Sequence, residues 1–144
     1  MIKEIFFRFE INKHIGTGHA IRCLRIAEFF YNKKYKVNII ISNKSFVYLK
    51  KLNFKTLSNY NILKIKASSS IRKDAEDTKK LLSKCKRDSE ILIFKDSYKL
   101  DLNWDRIIRK KYSNLIILDD FLNKKHNCKI YINFNPYKIN QLKY

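Results

Sequence analysis

The stretch from Ile2 to Asn32, IKEIFFRFEINKHIGTGHAIRCLRIAEFFYN, decides how the rest of the chain reads. Its first part, IKEIFFRF, is aromatic and β-branched and predicts a strand. Its last part places Ala20, Cys23, Ala27 and Phe30, with Ile21 and Leu24, at helical spacing, predicting a helix from His19 to about Asn32. The loop between them holds Gly16 and Gly18, and the chain has only these two glycines. Their pairing in one strand-to-helix loop marks a backbone that turns tightly or approaches a ligand.

Outward from this unit the same alternation repeats. Val37 to Ser42 predicts a second strand and Lys44 to about Leu52 a short helix. A weak strand falls at Phe54 to Leu57 or at Ile62 to Ile65, and the pattern does not choose between them. SSSIR, Ser68 to Arg72, reads as loop. Asp74 to about Lys86 predicts a helix with Ala75, Thr78, Leu81, Leu82 and Cys85 on one face. EILIFKD is a strand buried on both faces, Trp104 to about Lys111 a helix, and NLIILDD and KIYINF two further strands. Apolar strands alternating with amphipathic helices predict one α/β domain over residues 1–144. Its mostly parallel sheet is Rossmann-like, with helices on both faces.

Composition narrows the function classes. The 45% hydrophobic content is that of a globular chain. No apolar run approaches the roughly 20 residues needed to cross a bilayer, and the start lacks the features of a signal peptide. A cytoplasmic protein without membrane contact is expected. The 32 Lys and Arg against 13 Asp and Glu give a formal charge of +19. The lysines are scattered rather than gathered in a stripe, so they read as solvated faces and no nucleic-acid partner is expected. Cys23, Cys85 and Cys128 lie far apart with no C-x-x-C pair, so no metal site or redox motif is expected, and no cofactor.

In parallel sheets ligands bind beyond the carboxyl ends of the strands. That rule points to Glu10 and the loop after it, Ser42, Asp96 to Tyr98, and the Asp119-Asp120 pair. The loop IGTGH opens a helix whose first N–H groups are free. It lacks the third glycine of a dinucleotide fingerprint, where Ile21 stands, and the Lys-Ser/Thr of a P-loop. His19, at the mouth of the site, is the candidate base, since an imidazole takes a proton from water near neutral pH. His14 and His126 read as polar surface residues. Asp119 and Asp120 are strand neighbours and point to opposite faces, so they need not share a ligand.

Four blocks in order carry a family resemblance. IGTGHAIRCLRIA resembles I-G-x-G-H-x-x-R-C-L-x-L-A, and DAEDTKKLL resembles D-A-x-x-T-x-x-L-L. KDSYKLDLNWDRIIR resembles D-x-Y-x-L-D-x-x-W-E, and LIILDDFLNKKHNCKIYIN resembles I-D-D-L-x-x-R-x-H-x-C-D-x-L-x-N. These are blocks of the PseG-like hydrolases, which act on UDP-2,4-diacetamido-2,4,6-trideoxy-β-L-altropyranose in pseudaminic acid synthesis, and of related spore-coat and flagellin-glycosylation proteins. The resemblance implies the amino-terminal half of a GT-B, MurG-like fold. It also implies water attack at the anomeric carbon of a UDP-sugar, with His19 as catalytic base. Substrate binding then falls to Glu10, Gly16, Thr17, Gly18, Arg22, Asp96, Tyr98 and Asp119. The chain departs from the family at Glu10, where an Asp is usual, at Lys129, where an acid is usual, and at Ile132 to Asn135, which replace an Asp-Gln-Asn. The family's carboxyl-terminal nucleotide-binding domain is expected to be absent. The alternatives are therefore a non-catalytic remnant, or one subunit of a split GT-B enzyme or glycosyltransferase whose partner chain carries that domain.

Overall fold

The computed structural model describes residues 1–84, 90–121 and 123–135. Six strands form one sheet: β1 (Glu4–Phe9), β2 (Lys36–Ser42), β3 (Asn61–Ile65), β4 (Ile91–Asp96), β5 (Leu115–Asp119) and β6 (Ile130–Asn133). Among the described residues four helices alternate with them: α1 (Gly18–Asn32), α2 (Asn43–Lys51), α3 (Ile71–Leu82) and α4 (Leu102–Arg109). The spatial order is β3-β2-β1-β4-β5-β6, and every neighbouring pair is parallel. This is the Rossmann-like arrangement, in which strand order reverses between β1 and β4 and opens a crevice at their carboxyl ends.

Strand alternation sorts the core into two layers. Ile5, Phe7 and Phe9 of β1, Val37, Ile39 and Ile41 of β2, and Phe94 of β4 pack with Ala20, Cys23, Leu24 and Ala27 of α1 and Leu49 of α2. Phe6, Ile40, Ile93 and Ile117 pack with Ala75 and Leu82 of α3 and Trp104 and Ile108 of α4. One layer thus lies under α1 and α2, the other under α3 and α4. Both faces of the central strands are buried, which is why their sequences run apolar without a polar alternate. Burial is also why the exceptions at the strand ends matter.

Most element boundaries fall within a few residues of expectation, and the deviations have local causes. The ambiguous strand is at Asn61–Ile65, while Lys55–Asn59 forms a 3-10 turn. Helix α3 begins at Ile71, earlier than the apolar stripe indicates, because the Ser70 hydroxyl accepts from the Lys73 N–H at 3.3 Å and caps it. Asp101 caps α4 in the same way, accepting from Asn103 and Trp104 N–H, so that helix starts at Leu102. Ile21, expected on the inner stripe of α1, is exposed. The expectation for Cys85 lies outside the described residues. Among the described residues no helix is long and apolar enough to cross a membrane.

Candidate active site

The loop between β1 and α1 is stitched from within. The Asn12 side chain accepts from the His14 and Ile15 N–H groups at 2.8 and 2.9 Å, and the Gly16 N–H donates to the Asn12 carbonyl at 2.8 Å. Gly16 has φ +81°, in the left-handed region that favours glycine. Thr17 then precedes α1 without capping it through its side chain, although Ser42, Ser70 and Asp101 each cap their helices. Gly18, the first residue of α1, is exposed.

His19 is carried by the first turn of α1 to the carboxyl end of β4. Its ring is buried, and Nδ1 meets Oδ1 of the fully buried Asp96. An Nδ1–H donated to a carboxylate fixes the tautomer and leaves Nε2 as the basic nitrogen. Among the described residues Nε2 has no hydrogen-bond partner. The ring lines a cavity of about 130 Å³ with Glu10, Ile15, Asp96, Ser97, Tyr98 and Lys99.

Asp96 reaches this position by alternation. Leu92, Phe94 and Asp96 share the α1 face of β4, so the carboxylate points at α1 and meets His19, Arg22 and the Cys23 thiol, which lies 3.8 Å away. Arg22 grips it with two N–H groups, Nε to Oδ2 at 2.6 Å and Nη2 to Oδ1 at 2.7 Å. The third arm, Nη1, donates to Asp120 Oδ1 at 2.6 Å. Tyr98 donates to the other Asp120 oxygen at 3.0 Å, and its ring meets His19 edge-on at a centroid distance of 4.3 Å. Burial pulls the Arg22 guanidinium toward neutrality, but its hydrogen bonds and charge pairing with Asp96, then Asp120, more than reverse this. Burial, then the bond to Asp120, pushes the Tyr98 hydroxyl up to about 12, so it remains a donor. Burial and the neighbouring Asp96 charge hold the Cys23 thiol protonated.

Glu10 is placed differently. Its carboxylate accepts from Arg8 Nη1 at 2.7 Å, the Ser42 N–H at 3.1 Å and the Ser42 hydroxyl at 2.7 Å. The Ser45 hydroxyl lies between it and the Ile11 carbonyl. A carboxylate has about four lone-pair sites, and these donors occupy most of them. Glu10 therefore forms wall rather than open acceptor. It stands between the His19 cavity and a second one of about 250 Å³, lined among others by Arg8, Asn12, Lys44, Ser68 and Asp74. Arg8 points to the α3 face, where it pairs with Asp74, and Trp104 Nε1 donates to Asp74 at 2.9 Å.

The Asp119-Asp120 pair divides as strand neighbours must. Asp120 joins the Arg22 network, while Asp119 turns to the α4 face, where it accepts from Tyr131 at 3.0 Å and the Phe121 N–H at 3.0 Å. Asp119 and His19 line different cavities, Asp119 one of about 240 Å³ with Tyr98, Phe121, Lys124 and His126.

Two titratable residues are buried on the α4 face, and one of them, His126, departs from its expected place at the surface. Lys95, one residue before Asp96, is fully buried on the α4 face and donates to Asp105 at 2.5 Å and the Leu100 carbonyl at 2.8 Å. Burial lowers its pKa, opposed by the Asp105 charge. His126 is not a surface residue: its side chain is 4% exposed, with Nδ1 2.9 Å from Asp105. A lysine inside an otherwise apolar strand signals such a buried partner, but the sequence does not say which. His14 is exposed as expected. Among the described residues no group of three or more His, Cys, Asp or Glu is placed to hold a metal ion. No family model, curated protein or solved structure matches the chain.

Proposed function

We propose that this chain carries the catalytic base of a nucleotide-sugar hydrolase, which releases UDP from a 2,4-diacetamido-2,4,6-trideoxy sugar of the pseudaminic acid type. One observation carries the reading. A histidine pinned at Nδ1 by a buried carboxylate lines a cavity at the point where strand order reverses. The substrate itself is taken from the four ordered sequence blocks.

The chemistry asks little of the protein. A water oxygen bonds the anomeric carbon as the bond from that carbon to the phosphate oxygen breaks, and the bonding pair leaves with UDP. The water's proton passes to Nε2 of His19 and then to solvent. UDP is a good leaving group, so no strong acid is required. Asp96 fixes the imidazole and Tyr98 packs its edge, which holds the base in one orientation. The cavity beside His19, about 130 Å³, adjoins the one of about 250 Å³ and shares Glu10, Ile15, Ser97 and Lys99 with it, at the carboxyl ends of β1 and β4. A split enzyme, with the nucleotide held by a partner chain, is the second reading.

UDP release from the UDP-linked altrose-type sugar, with the chain alone and with a GT-B nucleotide-binding domain added, tests the proposal. Release that disappears in His19→Ala is expected. Equal release by His19→Ala, or none under either condition, defeats it.

A further inference from the structure

Arg22 is named above as a substrate contact by resemblance, yet its guanidinium is committed elsewhere. Nε and Nη2 take both oxygens of Asp96, Nη1 takes Asp120, and the Phe134 ring lies 4.8 Å from its central carbon. Asp96 is wholly buried and is the group that receives His19 Nδ1. A buried carboxylate left alone beside an imidazole holds a proton on it strongly; one met by a two-pronged guanidinium does so less.

The other charged and titratable neighbours do not supply that balance. Glu10, facing the same cavity from the end of β1, is paired with Arg8. Lys99, after β4, donates to the Ser68 carbonyl at 2.6 Å. Cys23 on α1 is a protonated thiol, and Tyr98 a neutral phenol bonded to Asp120. Among the described residues Arg22 is the cation in direct contact with Asp96.

We infer that Arg22 is a positioning residue: it orients Asp96 toward Nδ1 and balances its charge, so that the pair aligns the imidazole without trapping a proton on it, while Asp120 and Tyr98 hold Arg22 in place. The catalytic consequence rests on the reading of His19 as base. The charge relation between Arg22 and His19 does not.

The test is an NMR titration of the His19 ring in the parent protein, Arg22→Met, Arg22→Lys and Asp120→Asn. Arg22→Met is expected to raise the titration midpoint by about one pH unit or more, as an unbalanced carboxylate favours the imidazolium. Arg22→Lys raises it less. Asp120→Asn removes a negative charge and lowers it slightly. Opposite signs from two bonded partners are a mark of charge balance that lost packing does not produce. A midpoint that is unmoved or lowered in folded Arg22→Met overturns the inference. Should that variant not fold, Arg22→Lys and Asp120→Asn moving the midpoint in the same direction overturns it. Where hydrolysis is measurable, the acid limb of kcat moves up with the midpoint at unchanged KM. A raised KM at unchanged kcat assigns Arg22 to the substrate instead and also overturns it. A parent that releases no UDP, alone or with the nucleotide-binding domain added, yet shows the opposed shifts defeats the hydrolase reading and leaves the role of Arg22 standing.

Discussion

The two faces of the sheet end in charge clusters of opposite character. Under α3 and α4, Arg8 pairs with Asp74 and Glu10, while Lys95 pairs with Asp105 beside His126. These cations are wholly or nearly wholly buried and hydrogen-bonded to protein. Under α1, the chain His19, Asp96, Arg22, Asp120 and Tyr98 starts in the interior and ends in a 42%-exposed phenol beside a cavity. Each cluster holds a histidine whose Nδ1 meets a buried carboxylate, His126 on Asp105 and His19 on Asp96. They differ in surroundings: His126 Nε2 lies 3.6 Å from Asp119, a second carboxylate, whereas His19 lines a cavity where the strand order reverses, with no second carboxylate bonded to its ring among the described residues.

The contrast can be broken at its strongest point. Arg8→Met strands the buried Asp74 with Trp104 Nε1 as its remaining side-chain donor and takes one donor from Glu10; it is expected to cost about 3–5 kcal/mol in denaturant unfolding, the usual penalty for removing one member of a buried ion pair. Lys95→Met follows it closely, since it leaves Asp105 with the His126 ring and a backbone N–H as partners. A loss below about 1 kcal/mol in either, the range of exposed pairs, would show these clusters to be dispensable. On the other face, His19→Ala is expected to lower UDP release by about 10²–10⁴-fold, the span of general-base catalysis, with a stability loss smaller than that of Arg8→Met.

Smaller effects sharpen the comparison. Gly16→Ala meets no atom within 4 Å of the added Cβ, so only its φ of +81° opposes the change. A cost of about 1–2 kcal/mol is expected from the left-handed backbone alone, read by thermal unfolding. Tyr98→Phe acts through pH. The folded-state value of Tyr98, about 12, lies above its ordinary value of 10.0. The folded protein therefore holds a proton that the unfolded chain releases between these values, and this contribution is full below pH 10 and lost as pH rises toward 12. Tyr98→Phe is expected to reduce the alkaline loss of stability in that window. An unchanged alkaline curve would detach Tyr98 from Asp120.

The sequence carries the alternation of elements, because buried strands and one-sided helices leave different periods. It also draws the eye to His19, because the only two glycines flank Thr17 just before it, and the four ordered blocks rather than the glycines make it the candidate base. The contact of His19 with Asp96 is a different matter. Seventy-seven residues separate them, and only the β1-β4 pairing brings their ends together. The division of Asp119 from Asp120 follows from strand alternation alone. His126 reads as solvent-facing because it follows two lysines, and its burial is imposed from a distance by Asp105 and Lys95.

Neighbouring Lys95 and Asp96 also act as a safeguard against misassembly. Displacing β4 by a single position would drive the ammonium beneath α1, against Arg22, and the carboxylate toward Asp105. Each charge would face its own sign in a dry interior, at several kcal/mol apiece. The dipeptide thus opposes a one-residue slip of β4, because both charges find their partners only in the native register.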